Sequence, residues 1–542
     1  MVMSCFSNLV EFLQLLSPLQ KQQKELFKTN DLYSCSRPLL AGTGRLSYNF
    51  LDIVFTPYGD YWREVRKICV IELFSAKRVQ SFQSIREEEV GLLIDSILKA
   101  SSSSSPVNLS EMTLALTANI TCREAFGKSF EARGFSQERF QEVIHEGFAM
   151  LGSFSAADFF PYVGWIVDRL TGLHARLEKN FQEFDEFYQK IIDDHIQKER
   201  NEKEHGQEDI IDVLLDLERD QNDHQSSAFR LSQDRIKAIL MNIFLAGVDT
   251  GAITLVWAMA ELIKNPRVMK KAQKEIRTLI GNKREVSESD IDKLYYLKMV
   301  LKETLRLHPP ATLLVPRESI SKFNIGGYEV YPKTRIQVNV WAIGIDPEVW
   351  KDAERFFPER FMDKDIDYKG QHYEFLPFGA GRRGCPGISM GMVMVERALA
   401  NLLYWFDWRL PNDMKGEDFS MEEEAGLATY KKVIQIINTN SNRYATNRIS
   451  TNRTISTLQK PFIDTRIMIS MLALIQNLTL ISLFVFLQAN TTTVNLPALE
   501  YNNDSSRYEL SLLRGTDSGR TGAASAWRLK LKAGGDKVES GK

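Results

Sequence analysis

Residues 377–387 read Pro-Phe-Gly-Ala-Gly-Arg-Arg-Gly-Cys-Pro-Gly, and an apolar stretch with helical spacing follows them. The run combines one cysteine, Cys385, with four glycines and two arginines. Glycines let a backbone approach a bulky group closely, and the start of a helix near Gly387 favours a thiolate. Because a thiolate is a ligand of haem iron, the run predicts a cofactor-binding cysteine. A glycine-rich turn with an incidental buried cysteine is the alternative.

The composition excludes several other classes of protein. The chain has five cysteines, an odd number, and no C-x-x-C pair, so neither a disulfide scaffold nor a zinc site is expected. Reduced thiols fit the cytosol or the cytosolic side of a membrane. The formal net charge of −2 gives no overall attraction to nucleic acid, and no nucleic-acid partner is predicted.

The cysteine run resembles the haem-binding signature of the cytochromes P450, Phe-x-x-Gly-x-Arg-x-Cys-x-Gly. The matching positions are Phe378, Gly381, Arg383, Cys385 and Gly387. The resemblance implies that Cys385 is the iron ligand of haem b, that the other four contact the cofactor, and that Arg383 pairs with a propionate. It also implies a mainly α fold with small β-sheets (α+β), in which haem lies between a long central helix and the cysteine loop.

The stretch Leu231–Lys264 predicts that long central helix, since its middle is apolar nearly all round. At its centre, the sequence Ala-Gly-Val-Asp-Thr at 246–250 resembles the family's oxygen-activating motif. The resemblance implies that Asp249 and Thr250 are catalytic, because a hydroxyl beside an acid can deliver protons, and that Gly247 leaves space for dioxygen at the cofactor. The alternative is a threonine that hydrogen-bonds its own helix.

Two further motifs point to the haem propionates. Trp62 and Arg66 stand four apart in Tyr-Trp-Arg-Glu-Val-Arg and therefore share a helix face. In the family the corresponding helix offers both side chains to a propionate, while a cation–π pair at the surface is the alternative. Pro-Arg-Glu at 316–318 resembles the segment that leads into the sheet, which makes Arg317 a further propionate contact.

Glu303 and Arg306 stand three apart in Lys-Glu-Thr-Leu-Arg, a spacing at which an ion pair can form. Such a pair is common on protein surfaces and by itself indicates little. The family joins it to an arginine of a Pro-Glu-Arg-Phe segment, which is present here at 358–361. The resemblance therefore implies a buried structural network of Glu303, Arg306 and Arg360 without a catalytic role.

The resemblance, which lies with the plant microsomal subgroup, implies a haem-thiolate monooxygenase of plant secondary metabolism. Such an enzyme inserts one atom of O2 into a hydrophobic small molecule, with electrons from NADPH through NADPH-cytochrome P450 reductase. Two alternatives stay open, namely a haem-thiolate isomerase or dehydratase, and an inactive or poorly folded product of a truncated gene. The predicted substrate wall consists of small or aliphatic residues: Ala246, Ala311, Thr312, Leu313 and Val315.

For domain organisation, the sequence predicts a haem domain over 17–438 and leaves 1–16 unassigned. The family's apolar anchor and first strands are not found before Ser17, so the chain is expected to be truncated at its N-terminus. Residues 439–542 read as a divergent, low-order extension unrelated to the family. Within it, Ile467–Ala489 is long enough for a membrane span. The expected location is the cytosolic face of the endoplasmic reticulum membrane, otherwise the cytoplasm.

Overall fold

The computed structural model describes most of residues 20–441 and three strands beyond them. The stretches left undescribed within that span are 104, 131–136, 154, 161, 202–207, 224–228, 411–413, 415, 417, 425 and 433–435. The chain divides into two units, Met1–Ile449 and Ser450–Lys542. The unassigned segment 1–16 and the possible span 467–489 lie outside the described residues.

Helices dominate the first unit, as the predicted fold class requires. In chain order, the described α-helices α1 to α17 are Gln20–Lys24, Asp31–Ser34, Ala41–Leu46, Asp60–Ile68, Ala76–Ser81, Gln83–Ser102, Leu109–Phe126, Gln137–Leu151, Gly164–Leu170, Leu173–Asn201, Ile210–Asp223, Gln233–Lys264, Pro266–Ile280, Glu288–Ile291, Tyr295–Leu307, Val340–Gly344 and Ile388–Trp405.

Helix α12 (Gln233–Lys264) runs through the core. The Ser232 side chain accepts a hydrogen bond from the backbone N–H of Arg235 and caps its start, and Asn265 with Pro266 ends it. Nearly every residue of α12 is buried, and its side chains enter apolar clusters on several sides. Among the described residues, α12 is long and apolar enough to cross a membrane, but a buried core helix meets the same criterion.

The strands are short and form small antiparallel sheets. In chain order, the described strands β1 to β12 are Val107–Asn108, Arg317–Glu318, Phe323–Ile325, Tyr328–Val330, Arg335–Ile336, Phe406–Arg409, Glu423–Glu424, Tyr430–Lys431, Ile436–Ser441, Leu499–Asn503, Ser506–Arg514 and Trp527–Gly534.

The sheets of the first unit join distant parts of the chain. Strand β9 lies between β1 and β6, β2 pairs with β5, and β3 and β4 form a hairpin, as do β7 and β8. In the β3–β4 hairpin the turn falls on Gly326 and Gly327, whose φ angles of 58° and 87° suit glycine. Strand β9 pairs with β6 through Ser441. In the second unit, β10, β11 and β12 form one antiparallel sheet.

Candidate active site

The cysteine loop is a tight turn held by its own backbone. The N–H of Cys385 donates to the carbonyl of Phe378 at 3.0 Å, and the N–H of Gly384 donates to that of Gly381 at 3.1 Å. Gly381 has a φ of 68°, and a Cβ on it would lie 2.5 Å from Asp31 Oδ1. A side chain at this position would therefore strain the loop. Phe378 is half-buried and packs edge-on against Tyr368.

Cys385 is exposed to solvent, although many protein atoms lie around its thiol at longer range. Burial in that wider sense raises the pKa of the thiol, whereas the N–H of Gly387 and the charge of Arg66 lower it. Helix α17 begins immediately afterwards, with Gly387 at its N-cap. Both the helix terminus and the donors favour an anionic sulfur.

Several arginines converge beside this loop. Arg66 donates to the Gly384 carbonyl at 2.7 Å, and Arg383 donates to the Cys35 carbonyl at 2.8 Å. Burial, with Arg317 and Arg66 nearby, lowers the pKa of Arg383 to about 9. Arg37 belongs to the same group, since burial and then Arg383 and Arg317 hold its pKa well below the usual range. Clustered cations that are largely removed from solvent are suited to an anionic ligand.

Arg317 and Trp62, both predicted to contact a propionate, donate hydrogen bonds within the protein, and the single N–H of the Trp62 indole is fully used in this way. Arg317 forms an ion pair with Asp31 at 3.0 Å and donates to the Ala380 carbonyl at 2.9 Å. The indole N–H of Trp62 donates to the Ile53 carbonyl at 2.9 Å, and the guanidinium of Arg383 lies 4.2 Å above its ring. The cation over Trp62 is therefore Arg383, from the cysteine loop.

The middle of α12 has a solvent-accessible face, although most of the helix is buried. Ala246 is exposed, and Gly247 and Thr250 are half-buried. The Thr250 hydroxyl donates to the Ala246 carbonyl at 2.7 Å. Thr250 therefore hydrogen-bonds its own helix, as the alternative interpretation of the sequence predicted. The hydroxyl oxygen can still accept a hydrogen bond from another group. A Cβ on Gly247 would lie 3.0 Å from Thr121, which gives this glycine a packing role as well.

Asp249 is fully buried beside Thr250. Its Oδ2 accepts a hydrogen bond from the hydroxyl of Tyr430 on β8, while its Oδ1 has no hydrogen-bond partner in the described part of the chain. Burial raises the pKa of this carboxyl to about 7, and the Tyr430 hydrogen bond limits the rise. The carboxyl therefore changes its protonation state near neutral pH.

Glu303, Arg306 and Arg360 form one buried cluster. Arg306 Nε lies 2.8 Å from Glu303 Oε2, and Arg360 Nε lies 2.8 Å from Glu303 Oε1. The Phe357 N–H donates to Glu303 Oε1 as well, at 2.8 Å. Two buried guanidinium groups thus share one carboxylate, which fixes the segment 357–360 on helix α15.

The predicted substrate wall after α15 is partly exposed, and Leu313 is the most open of its members, with 40% of its surface accessible. Ala311 accepts a hydrogen bond from the N–H of Leu314 at 3.1 Å, and the Val315 carbonyl accepts one from Arg37 at 2.6 Å. Thr312 accepts one from the Thr429 hydroxyl at 3.3 Å.

Sequence reasoning missed three members of this site: Asp31, Arg37 and Tyr430. None of them lies in a recognisable motif, and each acts through residues that are far away in the chain. The observed groups fit haem. Among the described cysteines, Cys385 alone has an accessible thiol, which suits the iron. Glycines leave room for the ring, and clustered arginines suit its carboxylates. These features define a haem-thiolate class of protein.

Comparison with known proteins gives the same class. A cytochrome P450 family model matches residues 20–437. Cytochrome P450 71B10 of Arabidopsis thaliana is 56% identical over 412 residues, which make up 76% of this chain and 81% of that protein. Cytochrome P450 71A1 of Persea americana is 48% identical over 411 residues, with the same coverage. A zebra fish cytochrome P450 solved with progesterone has the same fold, at a TM-score of 0.65 and 23% identity, covering 79% of this chain and 93% of that one.

The chain belongs to the cytochrome P450 family. It is a haem-thiolate monooxygenase of plant metabolism, an oxidoreductase with haem iron as its cofactor. The predicted family, fold class and enzyme class are confirmed. The alternatives of an isomerase or dehydratase and of an inactive gene product are not favoured.

Proposed function

We propose that Cys385 binds the iron of haem b and that the enzyme oxidises a hydrophobic small molecule with electrons passed from NADPH by a reductase. The observation that carries this proposal is an accessible thiol on a glycine-rich loop beside a cluster of buried and half-buried arginines. When bound, haem supplies the activation of dioxygen and the transfer of one oxygen atom to the substrate. Arg66, Arg317 and Arg383 hold the propionates, with Trp62 packed beneath Arg383.

In this proposal, the residues of α12 control protons. The Asp249 carboxyl carries a proton near neutral pH because its burial raises its pKa to about 7. The Thr250 hydroxyl stands next to it and has an oxygen free to accept a hydrogen bond. Ala246 with the partly exposed stretch 311–315 offers small and aliphatic side chains to the substrate.

We also propose that the enzyme works at the cytosolic face of the endoplasmic reticulum membrane. An apolar patch on and before α9 supports this location. Tyr162, Trp165 and Leu170 have 75%, 49% and 82% of their surfaces exposed, and Val163 has 57%. Exposed aliphatic side chains accompanied by aromatic ones are typical of contacts with a lipid interface.

The substitution Cys385→Ser tests the proposed iron ligand. We expect the reduced, carbon monoxide-bound variant to lose the Soret band of a thiolate ligand, because a serine hydroxyl stays protonated and binds iron poorly. Cys122→Ala is the matched control, since Cys122 is fully buried in an apolar cluster. Circular dichroism establishes that each variant is folded. An unchanged Soret band in folded Cys385→Ser would overturn the proposal.

A further inference from the structure

The hairpin of β7 and β8 brings a phenol to the buried acid of α12. The Tyr430 hydroxyl donates to Asp249 Oδ2, and these two residues are 181 positions apart in the chain. The Asp249 side chain is fully buried, and its other oxygen, Oδ1, has no partner among the described residues. One oxygen of the carboxyl is thus fixed, whereas the other is available.

The backbone next to Tyr430 is fixed on two sides. The N–H of Thr429 donates to the Pro310 carbonyl at 2.9 Å, and the Thr429 carbonyl accepts from the indole N–H of Trp257 at 3.1 Å. Ala428 packs in an apolar cluster with Trp257 and Ile253 of α12. These contacts hold the phenol in place before any ligand binds, so the hydrogen bond to Asp249 requires no rearrangement.

Few charged groups lie around this pair. Helix α8 presents His145, whose ring lies 5.5 Å from that of Tyr430. The hairpin presents Glu424, which pairs with Tyr430 across the two strands. Helix α7 presents the uncharged Thr117 and Thr121 to the neighbouring turns of α12, and α17 presents Met394. Tyr430 is therefore the polar group that acts most directly on the Asp249 carboxyl.

We propose that Tyr430 is a positioning residue for proton delivery, holding Oδ2 of Asp249 so that Oδ1 carries the transferred proton. A carboxyl group can rotate about its Cβ–Cγ bond, and a phenol bound to one oxygen fixes which oxygen remains free. Oδ1 gives its proton to a water molecule that hydrogen-bonds to the Thr250 hydroxyl, a second water returns a proton to the carboxylate, and no electrons move in this step. This inference rests on the role proposed above for Asp249.

The test compares the Tyr430→Phe holoenzyme with the wild type in an infrared pH titration of the carboxyl C=O band. The Asp249→Asn variant identifies the band by removing it. Because the donated hydrogen bond favours the ionised form, its loss is expected to raise the Asp249 pKa by about one to two pH units. Tyr328→Phe is the control, since Tyr328 is 62% exposed on β4 and lies outside the site. An unchanged titration in Tyr430→Phe overturns the inference.

A second measurement separates this inference from the proposed function. With reductase and NADPH, we expect both Tyr430→Phe and Asp249→Asn to release a larger fraction of the consumed oxygen as hydrogen peroxide. If only Asp249→Asn does so, the role of Tyr430 is overturned and that of Asp249 stands. If neither variant does so while the Soret band of the thiolate is intact, the proposed proton role of Asp249 is overturned as well.

Discussion

At the scale of single residues, the structure depends most on charges that are buried together. Glu303, Arg306 and Arg360 are almost completely removed from solvent, and one carboxylate serves both arginines. Removing a charge from water costs several kcal/mol, which only close partners offset. The loss of one member therefore leaves the others without compensation, and the penalty is larger than the strength of any one hydrogen bond.

The Glu303→Gln substitution measures this penalty. We expect it to lower the free energy of unfolding by about 3–5 kcal/mol, because two buried guanidinium groups lose their counter-charge. Urea titration followed by tryptophan fluorescence and by the Soret band provides the measurement. Glu354→Gln serves as the control, because Glu354 is exposed in the same region. Equal stability of the two variants would contradict the structural role of the cluster.

Residues within local motifs could be predicted from the sequence, whereas their distant partners could not. The glycines around Cys385 and the three-residue spacing of Glu303 and Arg306 are visible in a few consecutive letters. The contact of Tyr430 with Asp249 spans 181 positions, and that of Arg317 with Asp31 spans 286. Such pairs are formed by the tertiary fold, and no periodicity along the chain signals them.

At the scale of elements, those with local sequence signals could also be predicted, whereas those defined by distant pairing could not. Helix α12 was predictable because its apolar surface, its cap and its terminating proline are all local features. Strand β9 was not, since its residues Ile436–Ser441 are mostly polar and carry little local signal for a strand. It is identified by pairing with β1 on one side and β6 on the other. The predicted end of the haem domain at 438 falls within this strand.

The packing of α16 against α15 gives a prediction at this scale. A Cβ on Gly344 would lie 2.3 Å from the Arg306 carbonyl oxygen, which is backbone and cannot move aside. We expect Gly344→Ala to separate the two helices and to lower the free energy of unfolding by about 1–3 kcal/mol, measured by urea titration.

Gly91→Ala is the matched control for this prediction. Gly91 also lies in a helix, α6, but its added Cβ would have no heavy atom within 4 Å. Alanine favours a helix over glycine, so this variant should keep or gain up to about 1 kcal/mol of stability. If Gly344→Ala were as stable as Gly91→Ala, the close approach of α16 to α15 would be wrong.

At the scale of the whole molecule, exposed apolar side chains are concentrated on and before α9, where Trp165 and Leu170 have 49% and 82% of their surfaces accessible. If this patch meets a lipid interface, the double variant Trp165→Ser/Leu170→Ser removes two apolar side chains from that interface. We expect it to bind vesicles of phosphatidylcholine and phosphatidylserine at least about tenfold more weakly than the wild type. Cosedimentation of the full chain measures this affinity. Leu92→Ser, which removes an exposed leucine on α6, should leave it unchanged. Equal retention of the double variant and the control would show that the α9 patch makes no membrane contact.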